Sequence, residues 1–441
     1  MNALNAAPGS RDHRALRFLT AGSVDDGKST LIGRLLFDSR AILADQIDTL
    51  EKRALGTSAA SNGPGFDLSL LTDGLEAERE QGITIDVAYR YFATRKRKFI
   101  IADAPGHEQY TRNMVTAAAG SDAAVVLVDI TKLDTLASPL TLLPQTRRHA
   151  LLAALLRVPS IVFAVNKLDA ATDPAQAYGA VRKALLDFAA EAGIAVAGVV
   201  PVSALRGDNV TQRLDASWYQ GPSLLQLLEE LPATQERRSG DLLLPVQYVA
   251  RDGDGGGEGT GKQPRTLWGR IAQGGVKAGD AVELLPSGQR AVVAQVRLAG
   301  NAVDEAGAGQ SAGVVLDRQL DVSRGDWIVT PGSVRETRRF TATLAWLDVE
   351  PAAIGRKYWV RHGNRWVQAR ISAIESVLDI HTLKATDAHQ LVVNEIGTVV
   401  IETQQALPVR AYEANRVGGA LIIVDPSTNR TSGALLVKAV H

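Results

Sequence analysis

The sequence predicts an α/β domain, a mostly parallel sheet with helices on both faces, followed by two small antiparallel β-barrels. Up to about Arg238, short apolar segments alternate with longer segments of helical spacing, the pattern of a sheet covered by helices. After a polar linker at 236–241, short β-rich runs alternate with turns and show no helical periodicity. We expect the domains to span 15–238, 242–335 and 338–441.

Length and charge limit the function. The 441 residues allow about three domains, and an apolar fraction of 45% suffices for packed cores. Lys and Arg together number 48, as do Asp and Glu, so the net charge is zero. Because a protein that binds nucleic acid usually has an excess of Lys and Arg over Asp and Glu, we expect no nucleic-acid partner.

The absence of cysteine excludes disulfides, thiolate metal sites and thiol catalysis. No apolar run approaches the length needed to cross a membrane, and residues 1–14 are too polar for a signal peptide. We therefore expect a cytoplasmic protein without a membrane partner.

A phosphate-binding loop stands between the first predicted strand and the first predicted helix. Residues 22–29 read G-S-V-D-D-G-K-S, which matches the pattern G-x-x-x-x-G-K-[ST]. Glycines let backbone N–H groups turn towards the β- and γ-phosphates, and the start of the helix adds a favourable dipole. Lys28 would reach the same phosphates, and the Ser29 hydroxyl would ligate Mg²⁺. The loop therefore predicts a nucleotide hydrolase or switch.

A second apolar strand ends in Asp103, and a turn containing Pro105 and Gly106 follows it. Asp103 could hold Mg²⁺ through a water, and Gly106 could offer its N–H to a γ-phosphate because it has no side chain to block the approach. His107 comes directly after this turn, which suits a residue that orients the attacking water. The alternative for His107 is an exposed loop histidine.

Thr84 lies between a loop and an alternating strand, at 81–86. Its hydroxyl could ligate Mg²⁺ and its N–H could contact the γ-phosphate, and both contacts would be lost on hydrolysis, a known switching device. The alternative is that Thr84 is a β-former at a strand edge. The preceding segment of some 45 residues has apolar residues at helical spacing, so we expect a helical switch insertion there.

A third apolar strand runs into Asn166, Lys167, Leu168 and Asp169. The Asp169 carboxylate can accept hydrogen bonds from N1–H and the 2-amino group of guanine, a donor pair that adenine lacks. ATP would leave a buried charge unmatched at a cost above about 1–3 kcal/mol, so GTP is favoured. Asn166 and Lys167 would tie the base loop to the phosphate loop. The backbone N–H groups at 203–205 suit the 6-oxo group of guanine.

These segments predict a GTPase that uses GTP and Mg²⁺. The predicted nucleotide-binding residues are Gly22, Ser23, Val24, Asp25, Asp26, Gly27, Lys28, Ser29, Thr30, Thr84, Asp103, Ala104, Pro105, Gly106, Asn166, Lys167, Leu168, Asp169, Ser203, Ala204 and Leu205. Within this set Ser29, Thr84 and Asp103 would form the metal site. His107 is the predicted catalytic residue.

Several runs of residues resemble one family. GSVDDGKSTLIGRLL at 22–36 and DAPGHEQYTRNM at 103–114 are similar to the GTPase (large) subunit of bacterial sulfate adenylyltransferase. GITIDVAYRYF at 82–92, TRRH at 146–149 and WYQGPSLL at 218–225 agree as well. This family lies within the translation-factor GTPase superfamily, and the resemblance implies an elongation-factor-like layout. It covers nearly the whole chain and is looser in the barrels.

The resemblance also implies a partner and a reaction. The family forms a complex, a heterodimer or larger, with a small adenylyltransferase subunit that joins ATP and sulfate into adenylyl sulfate and diphosphate. GTP hydrolysis on the large subunit would help to drive this unfavourable step of sulfate assimilation. The sequence carries no Ser-Gly-Gly-x-Asp-Ser diphosphate-binding loop, so we expect the adenylyl chemistry to lie in the partner.

Two alternatives stay open. The first is a translation-elongation-type GTPase that delivers a charged RNA, which salt-dependent RNA binding would support. The second is a signalling GTPase without a catalytic partner. Two stretches depart from the family pattern, a longer glycine-rich loop at 252–261 and a less acidic segment at 316–320.

Overall fold

A computed structural model describes residues 15–41, 68, 87–105, 111–233, 239–251, 265–379 and 382–441. Thr84, Gly106, His107 and nearly all of the predicted switch insertion lie outside the described residues. The chain divides into two compact units, Met1–Thr234 with Ile380–Leu383, and Gln235–Asp379 with Lys384–His441. The predicted boundaries between three domains stay a prediction.

The first unit contains a six-stranded sheet in the order β2-β3-β1-β4-β5-β6. The pairs β3–β1, β1–β4, β4–β5 and β5–β6 are parallel, and β2 joins β3 antiparallel. The strands are β1 (Leu16–Ala21), β2 (Ala88–Ala93), β3 (Lys98–Asp103), β4 (Ala123–Asp129), β5 (Ser160–Asn166) and β6 (Val196–Pro201). Every residue of β4 and β5 is buried, as expected for apolar strands covered on both faces.

Helices alternate with these strands. They are α1 (Lys28–Asp38), α2 (Thr111–Ala119), α3 (Pro144–Leu155), α4 (Pro174–Glu191) and α5 (Leu224–Glu230). The sequence sets their starts. The Asp173 side chain caps α4 before a helical proline, and Ser223 and Gln226 form a reciprocal capping box at α5.

The carboxyl ends of the parallel strands meet at one edge of the sheet and bring the predicted motifs together. The phosphate loop leaves β1 at this edge, while β3, β4 and β5 end in Asp103, Asp129 and Asn166. Open α/β sheets bind ligands at this edge. None of the helices in the described residues is long and apolar enough to span a membrane.

The second unit begins with an antiparallel ladder in the order β7-β16-β11-β12-β15-β9-β8, with β13 also paired to β12 and a separate β10–β14 pair. The first strand of this ladder, β7, approaches the next-to-last strand, β9, because a Cβ on Gly269 of β9 would lie 2.2 Å from the carbonyl oxygen of Pro245 on β7. The strands are β7 (Leu243–Pro245), β8 (Tyr248–Arg251), β9 (Arg265–Arg270), β10 (Gly275–Lys277), β11 (Ala281–Leu285), β12 (Gln289–Leu298), β13 (Asn301–Val303), β14 (Glu305–Gly307), β15 (Ser311–Leu316) and β16 (Trp327–Val329).

A second antiparallel ladder, β18-β22-β23-β17-β21-β19-β20, is closed into a barrel by pairing of β18 with β19. Alternate residues of β17 from Phe340 to Trp346 point into its core, which is the periodicity of a strand with one buried face. The elements are β17 (Thr337–Trp346), β18 (Lys357–His362), β19 (Arg365–Leu378), β20 (Ala385–Thr386), β21 (Ile396–Leu407), the short helix α6 (Arg416–Gly419), β22 (Ala420–Val424) and β23 (Thr431–Val440).

The two ladders of the second unit contact each other through buried rings. Trp327 of β16 stacks on His362 of β18, with ring centroids 4.8 Å apart and an interplanar angle of 18°. Both residues are almost fully buried. Beside them Arg365 forms an ion pair with Asp326 at 3.2 Å. The predicted fold, an α/β domain followed by two antiparallel barrel-like domains, is confirmed.

Candidate nucleotide-binding site

The phosphate loop joins the end of β1 to the start of α1, where Lys28, Ser29 and Thr30 form the first turn. Gly27 has a φ of 91°, and a Cβ there would lie 2.4 Å from Nδ2 of Asn166. A side chain is therefore excluded at Gly27 both by conformation and by space. Asp25 also has a positive φ, 65°, which aspartate tolerates better than most residues.

Lys28 lies across this loop and is buried. Its Nζ donates to the carbonyl oxygens of Gly22 and Ser23, each at 3.1 Å. Burial lowers the pKa of Lys28 below its ordinary value, against the opposing effect of the Asp103 and Asp26 carboxylates. An ammonium group held against the carbonyl oxygens of a phosphate loop in this way is placed to bind a polyphosphate.

Asp103 is brought to the phosphate loop by the parallel pairing of β1 with β3, in which Thr20 lies opposite Asp103. The Thr20 hydroxyl donates to the buried Asp103 carboxylate at 3.3 Å. Ala104 and Pro105, which follow, are buried as well. The hydroxyl of Ser29 and the carboxylate of Asp103 are hard oxygen donors of the kind that Mg²⁺ prefers, so these residues fit the ion. The third predicted member, Thr84, lies outside the described residues.

Asn166 connects the two sides of the site. Its side-chain amide is buried and donates to the carbonyl oxygen of Asp26 in the phosphate loop, at 2.8 Å. Its amide oxygen accepts a hydrogen bond from the backbone N–H of Ala204, at 2.9 Å. One neutral side chain thus fixes the distance between the phosphate loop and the loop at 203–205.

The other residues of the base loop follow Asn166 directly. Lys167 has a left-handed conformation, φ 64°, and its Nζ forms an ion pair with the buried Asp129 at 2.7 Å. Leu168 is buried and donates its N–H to the carbonyl oxygen of Val202 at 3.3 Å. Asp169 is half-buried in the short 3₁₀ turn that begins at Leu168. These contacts hold the Asp169 turn against the end of β6.

Three side chains of the site were not predicted from the sequence: Arg34, Asp129 and Lys132. Lys132 donates to the carbonyl oxygen of Val24 at 2.6 Å and pairs with Asp26 at 2.9 Å. Asp26 also accepts from the backbone N–H of Ser23 at 2.6 Å, so it braces the phosphate loop from inside. Asp129 ends a wholly apolar strand just as Asp103 does, and the same rule could have found it.

Asp129 is the buried centre of the charged contacts. Burial acts to raise its pKa, but the ion pair with Lys167 and the hydrogen bonds from Thr131 outweigh burial, so the pKa lies below its usual range. Lys132 also lies within 3.9 Å of this carboxylate. Two lysines, one bound to the phosphate loop and one in the base loop, therefore share one buried carboxylate.

His149 of α3 lies near the phosphate loop and is buried. Burial lowers the pKa of His149 to about 3, and the charges of Lys28 and Arg148 act in the same direction. The imidazole is therefore neutral at physiological pH. Its Nδ1 has no hydrogen-bond partner among the described residues.

Comparison with known proteins agrees with this geometry. Residues 13–233 match the model of the elongation factor Tu GTP binding domain, and residues 339–438 match that of the GTP-eEF1A C-terminal domain-like family. The fold and the site together define a P-loop GTPase of the translation-factor class.

Three relatives identify the family within this class. Sulfate adenylyltransferase subunit 1 of Laribacter hongkongensis is 41% identical over 429 residues, which cover 97% of this chain and 85% of that protein. The protein of the same name from Chromobacterium violaceum is 42% identical over 427 residues, with 96% and 86% covered. The bifunctional enzyme CysN/CysC of Xylella fastidiosa is 44% identical over 431 residues, which cover 97% of this chain and 66% of that enzyme. The chain belongs to the sulfate adenylyltransferase subunit 1 family, and the predicted resemblance is confirmed.

Proposed function

We propose that this protein is the GTP-hydrolysing subunit of a sulfate adenylyltransferase. A small partner subunit would join ATP and sulfate into adenylyl sulfate and diphosphate, and GTP hydrolysis on this chain would drive that step. The observation that carries the proposal is a phosphate loop joined through Asn166 to the loop at 203–205, on a chain that matches a subunit 1 relative over 97% of its length. The complex would be a cytoplasmic heterodimer or a larger assembly, with no nucleic acid in it.

Different residues of the site would bind the phosphates, the guanine base and Mg²⁺. The phosphate loop and Lys28 would hold the β- and γ-phosphates, while Asp169 would accept from N1–H and the 2-amino group of guanine. Ser29, Thr84 and, through a water, Asp103 would hold Mg²⁺, which when bound neutralises charge on the phosphates. The contacts of Lys28 with backbone carbonyls support this role because they place its ammonium over the loop.

Hydrolysis and coupling are assigned to residues near the γ-phosphate. His107 would orient the attacking water. Thr84 and Gly106 would contact the γ-phosphate and release it after hydrolysis, so they would report the state of the nucleotide to the partner. Thr84→Ala should therefore uncouple the two reactions more than it weakens nucleotide binding.

The test is reconstitution with a candidate small subunit. Sulfate-dependent diphosphate release from ATP is measured with GTP, with GDP and without guanine nucleotide. We expect GTP to raise this rate, the small subunit to stimulate GTP turnover, and the large subunit alone to hydrolyse GTP slowly without making adenylyl sulfate. Equal rates under the three conditions would reject the coupling, and binding of charged RNA would then test the elongation-type alternative.

A further inference from the structure

Arg34 connects the helix that begins at the phosphate loop to the loop at 203–205. It lies on α1, six residues after Lys28, and is buried with a relative exposure of 6%. Its Nε donates to the carbonyl oxygen of Ala204 at 3.3 Å, and its Nη2 donates to the carbonyl oxygen of Leu205. Its remaining Nη1 lies 3.6 Å from the carboxylate of Asp38. The guanidinium therefore has a partner on each of its three nitrogens.

The loop at 203–205 is shaped around this guanidinium. The turn is closed by a hydrogen bond from the N–H of Gly207 to the carbonyl oxygen of Ser203, at 2.7 Å. Gly207 has a φ of 88°, and a Cβ there would lie 3.3 Å from both Cδ and Nε of Arg34. A side chain at this position would be strained and would press on the arginine.

The same contacts fix the direction of a backbone donor. In a trans peptide the C=O and the following N–H point in opposite directions. Because the Ala204 carbonyl points at Arg34, the N–H of Leu205 points away from the guanidinium. The Ala204 N–H is already bound to Asn166, and the Ser203 N–H is bound to a carbonyl in its own loop. Within the part of the chain that the structure describes, the Leu205 N–H has no acceptor.

We propose that Arg34 is a positioning residue for guanine specificity, which holds the Leu205 N–H in place for the 6-oxo group of the base. The inference rests on the guanine-nucleotide binding proposed above. Asp169 would read N1–H and the 2-amino group through its side chain, whereas Arg34 would act on the 6-oxo side through the backbone. The two recognition elements can therefore be separated by the choice of nucleotide.

The experiment compares three nucleotides on the full-length chain. GDP is the reference, 6-thio-GDP replaces the 6-oxo group by sulfur, a weaker acceptor, and IDP lacks the 2-amino group. A neutral hydrogen bond contributes about 0.5–1.5 kcal/mol, so we expect the wild-type chain to prefer GDP over 6-thio-GDP by up to about tenfold. In Arg34→Met this preference should fall to about twofold or less, while the GDP-to-IDP preference stays as in the wild type.

Two further variants complete the test. Arg213 lines the same cavity as Arg34 and also donates to two backbone carbonyls, those of Gly221 at 3.1 Å and Gln220 at 2.9 Å. These carbonyls lie outside the base loop, so Arg213→Met should leave both nucleotide preferences unchanged. Arg34→Lys keeps the charge but not the planar fork, and we expect an intermediate preference; it also decides the matter if Arg34→Met does not fold.

The outcomes separate the inference from the proposed function. If the wild-type chain binds GDP and both Arg34 variants keep the full preference for GDP over 6-thio-GDP, the inference is overturned. If Arg34→Met weakens GDP, 6-thio-GDP and IDP equally, the residue only supports the fold, and the inference is overturned as well. A folded wild-type chain that binds no guanine nucleotide would overturn the proposed function together with the inference.

Discussion

The two halves of the nucleotide site are held in different ways. The phosphate loop is braced by charge, because the nearly fully buried Asp26 accepts from the Ser23 N–H and pairs with Lys132. The loop at 203–205, on the base side of the site, is held through its backbone, by the neutral amide of Asn166 and by the guanidinium of Arg34. Losing one partner of a buried ion pair leaves an uncompensated charge, whereas a backbone contact sets direction. Changes in the first half should therefore lower affinity for every nucleotide, and changes in the second should lower selectivity.

The largest effect should come from the phosphate half. Lys28→Ala removes the ammonium that lies over the loop, and we expect affinity for GTP and GDP to fall by roughly 10- to 150-fold, since a charged hydrogen bond contributes about 1.5–3 kcal/mol. Selectivity between GDP and IDP should stay the same. Equilibrium binding of a fluorescent nucleotide measures both quantities. Lys183→Ala, which removes an exposed lysine paired with Asp187 on α4, is the matched control and should bind normally.

His107→Ala should slow GTP hydrolysis without changing the nucleotide binding that the two halves of the site provide. GTP binding is expected to be retained, and single-turnover hydrolysis should slow by about 100-fold, the typical loss for a group that orients the attacking water. Rapid-quench measurement of a single turnover checks this. An unchanged rate would make His107 a loop residue without a catalytic role.

Asp169→Asn tests the base half. The amide replaces one of the two acceptor oxygens with a donor, so guanine affinity should fall about tenfold or more, in line with about 1–3 kcal/mol for an unmatched polar contact. Xanthosine diphosphate should bind better than before, because the new amide can donate to its 2-oxo group. Competition against labelled GDP measures both changes. In the wild type, equal displacement of labelled GTP by ATP and by GDP would contradict guanine recognition at this residue.

Lys132→Met probes the charged contact that braces the phosphate loop. The substitution removes the ion pair with the buried Asp26, and we expect GTP and GDP affinities to fall together by about tenfold, which corresponds to about 1.5 kcal/mol for one hydrogen bond to a charged group. Selectivity for guanine should not change. Lys132→Arg should recover part of the affinity. A loss of selectivity without a loss of affinity would show that the two halves are not held separately.

The smallest effect is a pH dependence of stability. Burial holds the pKa of His149 at about 3, so the imidazole stays neutral in the folded protein. In the unfolded chain the same imidazole has its ordinary pKa of 6.5 and becomes protonated below that pH. The contribution to stability is fully present above pH 6.5 and is lost as the pH falls towards 3. Between pH 7 and pH 6 the wild type should lose roughly 0.7 kcal/mol through this group. Urea unfolding should show a smaller loss for His149→Gln; an equal loss would exclude His149 as the source.

The motifs of the site could be predicted because each follows an apolar strand directly, as Asp103 and Asn166 do. Their meeting at one sheet edge follows from the parallel pairing of those strands. Arg34 and Lys132 could not be predicted in this way, since their partners lie 170 and 106 positions away along the chain. Only the packing of α1 against the loop at 203–205 reveals the first contact.

In the barrels, too, the sequence pattern predicted the strands but not how individual side chains pack. Turn spacing and β-rich runs predicted them, but not where their tryptophans lie: Trp346 is buried in the core of the second ladder, whereas Trp327 is buried between the two ladders. Trp366 of β19 is 47% exposed and lies under the guanidinium of Arg361, 5.6 Å from the ring centroid. Residue type alone does not reveal which face of a strand points outwards.

The stack of Trp327 on His362 joins the two ladders of the second unit. These rings come from different ladders of the second unit, and separating them would expose two large, buried ring surfaces to water. Separating the two ladders at this contact is therefore costly, and we expect them to behave as one rigid piece within the second unit.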